Sequence, residues 1–251
     1  MSVRPHRRTA LRRCAIALAG ALCLALGAGQ PARAAGSLTI DPVTIQMAPG
    51  QMATSLRIIN RGNAPTSFQV RAFDWSQSGN GPARLTPTDT LLESPPLGTI
   101  APGATQIVRL ALRRPPEGSE ASYRILIDQL PPPAAPGVVR IMLRFSIPIF
   151  AEPATRVAPL VRWRVEDSAG RGYLVATNAG TSHEVVRDIA LSGPDGHVWR
   201  VDTNAPPYIL AGATRRWHIA SPPPAPGTPL RLSANTDTGR ISQPVRVVGA
   251  P

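Results

Sequence analysis

Between residues 36 and 150 the apolar positions fall in short runs of four to thirteen residues, rich in Val, Ile, Leu and Phe, with turn clusters between them. No helical period is sustained over three turns, so the runs predict strands. TSLRIIN (54–60) leads into the turn RGNAP. FQVRAFDW (68–75) runs into SQSGNGP. TQIVRLAL (105–112) follows APG, and SYRILIDQL (122–130) ends at three prolines. VVRIMLRFSIPIF (138–150) is the longest run. The pattern breaks at EPA (152–154) and restarts with LVRWRVED, the turn SAGRG, YLVATN and EVVRDIAL. SGPDG (192–196) is a strong turn signal. HVWRV, RRWHI, PLRLSAN and PVRVV complete the chain. Regular strand and turn spacing predicts an all-β protein. Two units of similar size, residues 35–153 and 154–251, joined by a short linker, are the simplest account.

Within 138–150 the odd positions Val139, Ile141, Leu143, Phe145, Ile147 and Ile149 are all apolar. The even positions include Arg140, Met142, Arg144, Ser146 and Pro148. Strand side chains alternate between faces, so the odd face is an unbroken apolar ridge. One reading is an ordinary sandwich strand burying one face. The other is a strand long enough to serve a partner as well as its own sheet: roughly eleven residues span about 36 Å, where typical strands have about five or six. Pro148 has no N–H to give to a ladder, which places that end at an edge or a bulge.

Composition narrows the class. Of 251 residues, 29 are Pro and 21 Gly, which argues against long helices. The hydrophobic share of 43% is too high for a disordered chain. Every basic residue is Arg. Six of the 27 lie in the first 34 residues, which hold no acid, leaving 21 Arg against 15 acids in the remainder. No basic run continues past residue 34 and aromatics are sparse, so nucleic acid is not an expected partner.

The first 34 residues read as an address. Five Arg precede the apolar run 14–29, and Ala32-Arg33-Ala34 offers a small-x-small cleavage site. This is the order of a cleaved secretory signal, and the run is short for a membrane span. Cys14 and Cys23 both fall inside it. The mature chain would then carry no cysteine and depend on its core alone.

No reaction chemistry stands out. His183, His197 and His218 lie in different strands or turns, without ligand spacing to one another. There is no G-x-S-x-G elbow, no carboxylate pair and no phosphate-binding Gly loop. The expectation is a binding protein, not an enzyme, with no metal, cofactor or small-molecule substrate.

Four pieces in order resemble the periplasmic fimbrial chaperones of the PapD-like family. They are Asn60 with Pro65 and Trp75, PPLGTIAPGATQIVRL (95–110), YRILIDQLP (123–131), and IMLRFSIPIFAEP (141–153). YLVATNAGT (173–181), with Asn178, matches more loosely in the second unit. The resemblance implies two immunoglobulin-like β-sandwich domains in a boomerang arrangement. It implies a periplasmic chaperone that binds, folds and caps fimbrial or pilin subunits by donor-strand complementation and delivers them to an outer-membrane usher. Val139, Ile141, Leu143 and Phe145 would be the lent residues. A secreted two-domain scaffold or adhesin module that binds another envelope protein is the alternative.

Family members grip the subunit's terminal carboxylate with an Arg from the first strand and a Lys from the last. Those positions align here with Thr44 and Pro148, and neither carries charge. The final strand instead reads R-x-S-I-P-x-F and the preceding one begins Y-R-x-L, as in the archaic class. A buried carboxylate still needs a cation, so Arg124 and Arg144 are the candidate anchors. Glu120 and Glu152 flank the junction of the two units. An exposed apolar ridge is an aggregation hazard, so the unbound protein is expected to self-associate or to cover this edge.

Overall fold

The computed structural model describes residues 38–78, 83–131, 141–168, 170–203, 206–220 and 224–249. The leader assigned to residues 1–34 lies outside the described residues, as does Val139.

The described residues form strands and loops. The first sandwich contains β1 (Leu38–Asp41), β2 (Ile45–Met47), β3 (Ala53–Asn60), β4 (Thr66–Ser76), β5 (Arg84–Pro87), β6 (Leu91–Ser94), β7 (Leu97–Ile100), β8 (Thr105–Leu112), β9 (Ala121–Gln129) and β10 (Arg144–Ala151). One sheet runs β1-β3-β8-β6; the other runs β2-β10-β9-β4-β5, with β7 paired to β4. Their inner faces enclose a single core that includes Leu56, Ile58, Phe68, Leu110, Ile125, Ile127 and Ile149. Alternation causes this: in β8, Val108, Leu110 and Leu112 are buried while Ile107 and Arg109 are exposed.

The second sandwich contains β11 (Val161–Ser168), β12 (Arg171–Asn178), β13 (Glu184–Ser192), β14 (Val198–Trp199), β15 (Tyr208–Ile209), β16 (Thr214–His218), β17 (Leu230–Thr236), β18 (Gly239–Val245) and β19 (Val247–Gly249). Its sheets run β16-β12-β11-β19 and β14-β13-β17-β18, with β15 paired to β13. A separate core forms around Val165, Leu174, Leu191, Trp217 and Leu232.

Each sandwich carries a buried asparagine at the end of a strand. Asn60 Nδ2 donates to the carbonyls of Ala64 (2.8 Å) and Ile100 (3.0 Å), and its Oδ1 accepts from Gly62 N–H. Asn178 Nδ2 donates to Ser182 O (2.8 Å), and its Oδ1 accepts from Leu160 and Gly180 N–H, both at 3.0 Å. Turns leave backbone groups unpaired, and a fully buried amide satisfies several of them at once.

Of the long run expected at 138–150, residues 138–140 lie outside the described residues; from Ile141 onward the ladder begins at Arg144 and continues to Ala151. Its partner β9 ends at Gln129, which stands opposite Leu143. The last link is Gln129 N–H donating to Leu143 O at 2.9 Å.

Candidate functional site

β10 has an unequal pair of neighbours. β9 pairs with its whole length, from Arg144↔Asp128 to Ala151↔Ala121. The short parallel strand β2 reaches only Ile149, Phe150 and Ala151. Among the described residues, no strand covers the other side of Arg144–Pro148. Leu143 accepts from Gln129, so the odd residues form the hydrogen-bonded pairs with β9. The amides of Arg144 and Ser146 therefore face the open side. Pro148, which has no N–H, stands where β2 takes over.

The apolar ridge grades from core to solvent along this edge. Ile149 and Ile147 are buried, Phe145 is half-buried against the first core, and Leu143 is 38% and Ile141 82% exposed.

Arg124 and Arg144 lie on the same outer face of the sheet, opposite Pro148 and Asp128 respectively. Four residues of strand separate the two positions, about 13 Å. Arg144 is exposed and forms an ion pair with Asp128, which also takes Arg71 Nη2 at 2.7 Å. Burial pushes the Asp128 pKa up, but the hydrogen bonds and charges of Arg144 and Arg71 outweigh it, and the net shift is downward.

Arg124 is 8% exposed. Its Cζ lies 3.8 Å from the centre of the Trp75 ring and 5.7 Å from that of Tyr208 in the second sandwich. Its Nη1 donates to Ser146 O at 3.3 Å. Burial pulls its pKa below the usual arginine value, with Tyr208 acting in the opposite sense; guanidinium nevertheless stays charged at neutral pH. Stacking on a desolvated indole contributes about 2 kcal/mol. Among the described residues, Arg124 is held on aromatic faces and by the Ser146 carbonyl rather than by an acid.

The boundary between the sandwiches is built around this cation. Trp75, Phe150, Leu210 and Ala213 form a small apolar cluster, with Tyr208 packed against it. Gln77 Nε2 donates to Tyr208 O (2.9 Å), and its Oε1 accepts from Leu210 N–H (3.0 Å). The Glu120 carboxylate has no exposed surface; His183 Nδ1 meets its oxygens at 2.8 and 2.9 Å. Glu152, the other junction acid, accepts from Gln46 and pairs with Arg156 at 3.4 Å. Sequence reasoning placed Glu120 and Glu152 here, but it missed Tyr208, Phe150 and His183. Their roles depend on contacts far apart in the chain, 63 residues for His183 with Glu120 and 131 for Tyr208 with Gln77, which no local period encodes.

Among the described residues, no group of three or more His, Cys, Asp or Glu is placed to hold a metal ion.

Residues 37–156 match the PapD N-terminal domain, a family of pili and flagellar-assembly chaperones. No curated protein sequence matches the chain. Among solved structures, a chain of the CsuC–CsuE chaperone–tip adhesion subunit pre-assembly complex, from the archaic chaperone–usher Csu pili of Acinetobacter baumannii, superposes with a TM-score of 0.66. It is 21% identical over 84% of this chain and 99% of that one. The YadV chaperone superposes with a TM-score of 0.60 at 17% identity, covering 83% of this chain and 98% of that one. A chain of the Salmonella enterica SafA pilin–SafB chaperone complex gives 0.55 at 16% identity, covering 84% and 96%. The fold is therefore that of the two-sandwich pilus chaperones. Residues 37–156 thus carry the PapD N-terminal domain, and beyond them the likeness to these chaperones is one of fold.

Proposed function

We propose that this protein is a PapD-like pilus-assembly chaperone that lends the open edge of β10 to a fimbrial subunit lacking a strand, and delivers it to an outer-membrane usher. The observation that carries the reading is the uncovered edge of Arg144–Pro148 continuing into the exposed side chains of Leu143 and Ile141. Ile141, Leu143 and Phe145, with Val139 ahead of them, enter the subunit's open core. Each fully buried side chain contributes roughly 1.5–3 kcal/mol, from which ordering costs subtract. The amides of Arg144 and Ser146 supply main-chain pairing.

Arg124 takes the subunit's terminal carboxylate. Support comes from its register: it stands directly across from Pro148, the position at which relatives carry the lysine. Thr44, aligned with their arginine, is exposed just before β2. Arg144 is the second cation; its own side chain is exposed, and Arg71 stays on Asp128 when Arg144 turns to an incoming carboxylate. The partner class is the pilin or tip subunit, as in the Csu and Saf complexes, and the archaic branch fits the Csu likeness and the Y-R-x-L and R-x-S-I-P-x-F segments. A cleaved leader over residues 1–34 would carry the chain to the periplasm.

Periplasmic co-expression with candidate subunits tests the reading. A one-to-one complex should be recovered with the wild type and lost with Ile141→Asp/Leu143→Asp. Arg124→Ala/Arg144→Ala should lose it too. Recovery with the aspartate variant would overturn strand lending.

A further inference from the structure

Most of what holds Arg124 in place is aromatic, and part of it belongs to the other sandwich. Trp75 and Tyr208 meet edge to face, with centroids 5.5 Å apart, beside the guanidinium. The Tyr208 backbone is fixed from both sides. Its carbonyl accepts from Gln77 of the first sandwich and from Arg215 Nη1 (2.8 Å) of the second. Phe150 closes the group at 5.9 Å from Trp75 and 5.3 Å from Tyr208. Among the described residues, no carboxylate forms a salt bridge with Arg124.

We propose that Trp75 and Tyr208 are the positioning residues of the Arg124 cation, so that the carboxylate site is complete only when the second sandwich supplies Tyr208. The rings restrict the guanidinium without neutralising it, which an acid in their place would do. They also exclude water, which strengthens its attraction for an anion. A carboxylate arriving from the open side of β10 then meets a charge already oriented. Tyr208 thereby couples anion binding at the edge of one domain to the placement of the other. The inference rests on the reading of Arg124 as the carboxylate cation.

The test uses the mature chain and acetate as a probe for a terminal carboxylate, with acetamide as its neutral counterpart. NMR of the Arg124 Nε–Hε group reports both binding and restriction of the side chain. In the wild type the signal should shift saturably with acetate and not with acetamide. Tyr208→Leu and Trp75→Leu should weaken that response about tenfold and speed guanidinium rotation. Tyr208→Phe keeps the ring and should restore the wild-type response. Because Tyr208 is only half-buried whereas Trp75 is buried, Tyr208→Leu remains informative if Trp75→Leu fails to fold. A wild-type response in Tyr208→Leu overturns the positioning role while leaving Arg124 as the anchor. Absence of an acetate response in the wild type overturns the anchor reading itself.

Discussion

His183 lies flat on Phe150, with ring centroids 3.6 Å apart and planes inclined by 12°, across the boundary between the two sandwiches. The same imidazole engages the buried carboxylate of Glu120. His183→Ala should therefore lose a stack and leave a buried acid without its ring partner. A loss of about 3 kcal/mol is expected in urea unfolding. His183→Phe keeps the stack and should show that the carboxylate, rather than ring packing, accounts for most of the cost.

Asp128 links stability to pH. Its folded-state pKa is lowered because hydrogen bonds from Arg144 and Arg71 outweigh burial. A depressed acid stabilises the fold above its unfolded value, about 3.9, and that contribution disappears as pH falls through the folded value. Asp128→Asn should thus cost about 1 kcal/mol at neutral pH. The gap from wild type should close in acid, as read by thermal unfolding across pH.

Gly180 lies against the linker. A Cβ there would stand 2.3 Å from Ala158 O and 2.7 Å from Leu160 N. Backbone cannot yield as a flexible side chain does, so Gly180→Ala should destabilise by about 1–3 kcal/mol. Limited proteolysis should then cut the linker near 154–160 faster than in the wild type.

Much of this architecture is legible in the sequence because strands advertise themselves with a period of two. The ridge Ile141, Leu143, Phe145, Ile147, Ile149 could be read before any coordinates, as could Arg124 and Arg144 within neighbouring strands. Where the ladder starts could not. β10 begins at Arg144 because β9 runs out at Gln129, a fact of pairing rather than of composition. β2 is only three residues long, too short for a pattern, yet its reach decides which part of β10 stays open. The surroundings of Arg124 were hidden for a similar reason. Trp75, Phe150 and Tyr208 come from three strands in two domains and converge only once both have folded.

Strand lending itself is tested most directly by residue-resolved hydrogen exchange of β10. In the free chaperone the amides of Arg144 and Ser146 should exchange rapidly, since they face the uncovered side, while those of Phe145 and Ile147 are protected by β9. In a complex with a pilin subunit, Arg144 and Ser146 should become protected as a new strand pairs with them. Continued rapid exchange at both, in a complex that has formed, would contradict the account.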